Sequence, residues 1–270
     1  QNSGGGDEGG ADPATPNDLT RILMVPDGAE VTGLHVNSIG NLFVSAMHPD
    51  SPFKATVGVI NGFDWNNLPD TISELPSTSS QSETWHGIRT SVGTYQALLQ
   101  SGDFLGSGEL AGGIYAADDG ELLFTSEKPD FNVFVPTISE GTEGYLYSTW
   151  ESRPAGVSQI HIEWNEMSGE WDIAGGKMLD LSEINGGWVL CFGSLSPWGP
   201  PLLSEELFFE DTIDWNNPSY YYHEDQLELA DYLGYYPNPY DYGWIVEIED
   251  ADSESPQFEK LYSLGRFSHE

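Results

Sequence analysis

Residues 144–176 read GYLYSTWESRPAGVSQIHIEWNEMSGEWDIAGG. They hold three runs rich in β-branched and aromatic residues: 144–150, 157–164 and 170–176. Each run is short enough for a strand, and Pro, Gly, Asn and Ser cluster between them. The second and third runs are predicted to pair across the Gly-containing turn. The same texture extends in both directions. NLFVSAM (41–47), ATVGVI (55–60), GGWVLCFG (186–193), GWIVEIE (243–249) and FEKLYSLG (258–265) all read as strands. GGIYAA (112–117) and ELLFTS (121–126) flank Asp118-Asp119-Gly120, a strong hairpin signal. Only 91–101 (SVGTYQALLQS) and 223–233 (HEDQLELADYL) look helical. Many short strands at near-regular spacing predict an all-β sandwich, barrel or propeller. DWNN occurs at 64–67 and again at 214–217, a four-residue echo that is weak evidence for a repeat.

The chain has 270 residues, enough for a substantial core, and 38% hydrophobic with 13% aromatic content excludes wholesale disorder. Eight Lys plus Arg stand against 44 Asp plus Glu, a formal net charge of −36. Eight scattered cations cannot build a nucleic-acid groove or a polybasic membrane patch. The acidity fits a solvated surface suited to high salt, as in marine or halophilic proteins. It also fits carboxylates that bind divalent cations, and the two are compatible. No apolar run is long enough to span a bilayer. Residues 1–18, which contain NSGGGDEGGADPATP (2–16), read as a flexible tether downstream of a removed export signal. The expected location is exported: periplasmic, cell-surface or extracellular, with lipid anchoring open. Residues 19–270 form the β domain.

A single cysteine, Cys191, excludes an intrachain disulfide framework. A lone strand cysteine is ordinarily a small buried hydrophobe. As a thiolate it would instead ligate a transition metal or act as a nucleophile. It lies in CFGSLSPWGPPLLSEE (191–206), where Pro197, Gly199, Pro200 and Pro201 stiffen a turn before Glu205 and Glu206. Adjacent strand residues point to opposite faces, so at most one of the two carboxylates shares a site with Cys191. LYSLGRFSHE (261–270) brings Arg266, His269 and Glu270 together in sequence, as a surface ion pair or as a metal ligand with supporting groups. VPDGAEVTGLHVNSIGNLFVSAMHPD (25–50) carries Glu30, His35 and His48. By itself, GAEVTG would be a turn leading into a strand, with Glu30 exposed. No CxxC or HxxxH spacing supports a zinc site, and no G-x-S-x-G elbow or Walker loop occurs.

Three blocks together resemble the PhoX family of bacterial alkaline phosphatases: CFGSLSPWGPPLLSEE; GWIVEIED (243–250) with LGRFSHE (264–270); and GAEVTGLHVNSIGNLFVSAMHPD (28–50). The resemblance covers 22–50 and 140–270. It implies a six-bladed β-propeller, of which this chain supplies about half of the blades, and an iron–calcium cluster, Fe(III) with Ca2+. It further implies Cys191 and Glu206 as iron ligands, Glu270 as an iron or bridging ligand, and Glu30 as a calcium ligand, with Glu205 the next candidate. Arg266 and His269 are the candidate catalytic residues, supporting the metals or meeting the anion. The implied activity is metal-dependent hydrolysis of small phosphate monoesters. Two departures stand out. The Glu-Val-Thr-Gly block opens this chain instead of lying near its end, which a closed ring tolerates. The family pattern also continues beyond GRFSHE, so a further segment or a second chain is expected to complete the ring. Phe192-Gly193-Ser194 replaces the family's Ala-Gly-Gly. The competing reading is a non-catalytic, calcium-stabilised propeller serving as a binding module or a structural subunit of a cell-surface assembly.

Overall fold

A computed structural model describes residues 19–75, 87–220 and 223–268. The expected tether (1–18), His269 and Glu270 lie outside the described residues.

The chain is all-β, built largely from three four-stranded antiparallel meanders. Two strands frame the first meander, β1 (Leu23–Met24) and, later, β5 (Arg89–Thr90), and they pair with each other. The first meander orders β2 (Glu30–Val36), β3 (Leu42–Met47), β4 (Thr56–Asn61) and β6 (Thr94–Gln100). A two-stranded hairpin follows, β7 (Gly113–Tyr115) with β8 (Leu122–Thr125), closed at Asp118-Asp119-Gly120 as expected. Gly120 there takes φ +74°, a left-handed conformation that costs glycine little. The second meander comprises β9 (Pro129–Pro136), β10 (Glu143–Trp150), β11 (Gly156–Asn165) and β12 (Glu170–Met178). The third comprises β13 (Leu190–Leu195), β14 (Pro201–Glu205), β15 (Ile245–Glu249) and β16 (Gln257–Lys260). Between β14 and β15 the chain leaves the sheet to form α1 (Thr212–Trp215) and α2 (His223–Leu233).

The first strands of the meanders, β2, β9 and β13, lie side by side, with β9 touching both others. Each sheet is a four-stranded antiparallel meander, and the three stack through their first strands. No closed ring forms among the described residues, and a second chain finds no support.

Side-chain alternation explains the stacking. On β10, Leu146 and Trp150 pack with Phe43, Val57, Val59 and Phe134 between the first and second meanders. Tyr145 and Tyr147, one residue out of phase, pack with Leu203, Val246 and Ile248 between the second and third. The middle sheet is therefore buried on both faces, the situation in which strands read as near-continuous apolar runs. Trp150 and Trp171 are almost wholly enclosed. Burying a side chain of that size contributes on the order of 5 kcal/mol of transfer free energy. A third, aromatic cluster (Trp188, Phe209, Trp215, Tyr232, Tyr242 with Leu229) fixes the helices against the start of the third meander.

One expectation fails. Residues 91–101 are not helical; 94–100 is β6, paired with β4. Gln96 explains the outcome: its side chain donates to the Trp171 carbonyl (2.7 Å) and accepts from the Trp171 N–H (2.9 Å), bridging to β12. Tertiary pairing overrides the helix preference of Ala-Leu-Leu-Gln. The DWNN echo, weak evidence for a repeat, marks two different local structures. At 64–67 it is a turn whose Asp64 carboxylate accepts from Asn66 N and Asn67 Nδ2. At 214–217 it closes α1.

Candidate metal centre

Cys191 occupies a distortion in β13. Leu190 pairs with Glu205 and Gly193 with Leu203, so Cys191 and Phe192 together oppose Ser204. Such bulges re-aim side chains and recur beside active sites. The bulge is bracketed by two non-glycine residues in left-handed conformation, Val189 (φ 46°) and Leu207 (φ 49°). For a β-branched residue such as Val189 this conformation is costly, by about 1–3 kcal/mol. The surroundings enforce it: Val189 N donates to Ser152 O (3.0 Å), and Glu206 N donates to Val189 O (3.1 Å). These two bonds tie together the segments that carry Glu151, Cys191 and Glu206.

A thiol and two carboxylates meet there. One ligand atom each from Asp130 on β9, Glu151 just past β10 and Cys191 lies within 4.8 Å of the others. The Cys191 thiol is pushed well above its ordinary range, first by burial, then by its hydrogen bond to the Asp130 carboxylate and by the charges of Asp130, Glu206 and Glu151. Burial likewise raises Glu151, opposed by Lys128 and Arg153; Glu30 raises it further and His48 acts against that. Glu30, at the start of β2, has its Oε1 3.5 Å from His48 Nε2. Cys191, Glu206 and Glu30 thus share one electrostatic neighbourhood with Asp130 and Glu151.

Glu205 and Glu206 part as strand alternation requires. Glu206 faces the thiol's field, whereas Glu205 is fully buried on the other side. There, Lys260 Nζ stands 3.0 Å from Glu205 Oε1, and the N–H groups of Trp188, Gly243 and Trp244 also donate to the carboxylate. Burial pushes Glu205 up, and Lys260 with the backbone donors pulls it back down. Its oxygens are engaged by protein donors, so Glu205 ties β13, β14 and β15 together instead of standing ready for a metal. Arg266 is likewise committed. Its guanidinium donates to the carbonyls of Tyr242, Phe209 and Pro239 and lies over the Phe208 ring. It fastens the last segment of the chain to the loop after β14. Two residues on, Ser268 Oγ accepts from Leu207 N (3.0 Å), which brings the chain back beside Glu206.

Residues 166–270 match the family model for the alkaline phosphatase PhoX. The resemblance to PhoX phosphatases therefore holds over the C-terminal part of the chain. The matched segment contains Cys191, Glu205, Glu206, Arg266, His269 and Glu270, while Glu30, Asp130 and Glu151 lie outside it. No curated protein and no solved structure matches the chain.

Sequence reasoning missed Asp130 and Glu151. Among 44 acidic residues neither sits in a motif; only the pairing of β9 with β10 and the contact of β9 with β13 deliver them to Cys191. It missed Lys128 and Arg153 as well, the cations whose charges act on Glu151. Arg153 is also held over the Trp188 ring, with its Nη1 3.6 Å from Asp225 of α2.

The donor set suits the metals that the PhoX resemblance implies. Carboxylates are hard ligands for calcium and ferric iron, and a thiolate marks a transition metal. Without a cation, the carboxylates of Asp130, Glu206 and Glu151 oppose the ionisation of the thiol. A multivalent ion reverses that balance.

Proposed function

We propose that this protein hydrolyses phosphate monoesters with a metal cluster held by Cys191, Glu206, Glu30, Asp130 and Glu151, joined by Glu270. The observation that carries the reading is the convergence of a thiol and carboxylates from the second and third meanders beside one bulge. The family match over the segment bearing Cys191 and Glu206 supplies the phosphatase activity. Iron with calcium is the expected content, and when bound it supplies the positive charge that an anionic ester needs in a chain of net charge −36.

The chain's own groups do the rest. Asp130 holds the Cys191 proton until a cation displaces it. The Val189 and Leu207 conformations fix where Cys191 and Glu206 point, so little reorganisation is needed on loading. Lys128 and Arg153 border the cluster and offset part of its negative charge. Arg266 positions the terminal segment instead of touching substrate, which leaves His269 as the candidate proton donor to the leaving alcohol. Export of the protein, with residues 1–18 as tether, belongs to the same reading; no described helix is long and apolar enough to cross a membrane.

The test is elemental analysis and chromogenic phosphate-ester hydrolysis on protein purified without chelators, wild type beside Cys191→Ala. Iron plus calcium and turnover in the wild type, with iron and turnover lost in the variant, is the expected result. Full activity in Cys191→Ala would overturn the reading. Calcium without iron, and no turnover in the wild type, would favour the non-catalytic binding module.

A further inference from the structure

The far end of the second meander carries a separate set of ligating groups. Glu143 faces Glu163 across β10 and β11, and two residues along Tyr145 faces His161. Residues directly opposite in a ladder project to the same face, so the four side chains form one patch. Asp172 on β12 is opposite Glu163 and extends the row to three carboxylates. Like charges directly opposite destabilise a sheet. Within this row His161 Nε2 stands 3.3 Å from Glu143 Oε1. One ligand atom each from Glu143, His161 and Glu163 lies within 4.8 Å of the others.

The patch also opens onto unfilled space. Gly175 is the β12 residue opposite His161, and a Cβ built on it would meet nothing within 4 Å. His161 therefore borders a groove of about 280 Å³, which Tyr145, Gln159, Lys177 and Glu254 also line. Lys177 does not neutralise the row by reaching across it: its Nζ donates to the Glu254 carbonyl. A solvated acidic face would account for the glutamates. The imidazole is held among them between Glu143 and the Tyr145 ring (centroids 5.1 Å apart), beside the bulge that carries Gly175.

We propose that Glu143, His161 and Glu163 bind a divalent transition cation of the zinc class at this groove. One imidazole nitrogen and two carboxylates suit zinc better than calcium, which takes oxygen ligands alone. Three protein ligands leave further coordination positions open, and of the three His161 borders the groove. The site is independent of the phosphatase reading. Glu143 begins β10, whereas Glu151 follows its last residue; eight residues of strand separate them by about 26 Å.

The experiment titrates zinc chloride into the full chain by calorimetry, in wild type, Cys191→Ala, His161→Gln and Glu143→Gln/Glu163→Gln. The Cys191→Ala protein should retain one zinc equivalent that both groove variants lose or bind at least tenfold more weakly, with excess calcium failing to displace it. Zinc binding by His161→Gln equal to wild type would overturn the site, as would a zinc equivalent lost only in Cys191→Ala. A second measurement needs no variant: zinc should protect His161 of the wild-type chain from ethoxyformylation by diethylpyrocarbonate, mapped by mass spectrometry. Unchanged labelling of His161 at saturating zinc would equally overturn it.

Discussion

Glu205 and Glu206 are neighbours in sequence and opposites in chemistry. Glu205 is enclosed with Lys260 and three backbone donors, so its charge is answered within the protein. Glu206 turns the other way, toward a thiol crowded by Asp130 and Glu151. The first arrangement is complete as it stands and holds the third meander together. The second gathers the carboxylates of Asp130, Glu151 and Glu206 around the thiol, near Lys128 and Arg153, and is the place where the proposed cation would sit. One peptide bond separates a carboxylate held by protein donors from the one proposed to meet a metal, and the pleat of the strand makes the division.

The largest effect should come from breaking the finished half. Lys260→Met leaves Glu205 buried without its partner and should cost about 3–5 kcal/mol in urea unfolding. Adding Glu205→Gln should recover part of that loss, since the unpaired charge is then gone. If Lys260→Met unfolds like the wild type, the pair contributes nothing and the contrast collapses.

The unfinished half should respond to ions instead. Calcium with iron should raise the melting temperature of the wild-type chain, because ligands that bind only the folded state stabilise it by mass action, by about 2.7 kcal/mol at a hundredfold excess over Kd. Cys191→Ala should abolish most of the iron-dependent part while altering stability in chelator by no more than about 1 kcal/mol. An unchanged metal-induced shift in that variant would remove Cys191 from the cluster.

A smaller effect sharpens the same point. In chelator, Glu151→Gln should stabilise the chain by roughly 0.5–1 kcal/mol, because it removes a carboxylate whose ionisation burial opposes. With metals present the sign should reverse. Loss of stability in both conditions would mean that Glu151 has only a packing role.

A separate test concerns the first meander. Burial lowers His35 from 6.5 to about 4. Between those values the unfolded chain binds the proton and the folded chain does not, so His35 contributes stability that is lost as pH falls from about 6.5 to 4. For this partly exposed ring the contribution is roughly 1–2 kcal/mol, measurable as the difference in pH slope between wild type and His35→Gln. Parallel slopes would mean that His35 titrates normally in the folded state.

Much of the fold was legible because local chemistry and tertiary demand agreed. The 157–164 and 170–176 runs pair as expected, with Asn165 opposite Glu170, and 223–233 is helical as its composition suggests. Reading failed where they disagreed. TYQALLQ has a helix former's composition but is pinned as a strand by Gln96 on Trp171. PDFNVFVP (129–136), framed by prolines, went unread, although it is the strand at the junction of all three meanders. The site divides in the same way. Cys191 and Glu206 were visible in a motif, and Glu30 in a second block. Asp130 and Glu151 were not, because nothing distinguishes two carboxylates among 44 until strands bring them to a thiol.

By itself, the sequence determined an all-β chain, its turns, its single thiol and the acidity that makes cations its natural ligands. Those properties are local or compositional, and they survive any rearrangement of the strands. Tertiary structure alone decided which carboxylates answer the thiol and which answer Lys260. That choice depends on the register of β13 against β14, on a bulge at Cys191 and on the meeting of three first strands, all relations between residues far apart in the chain.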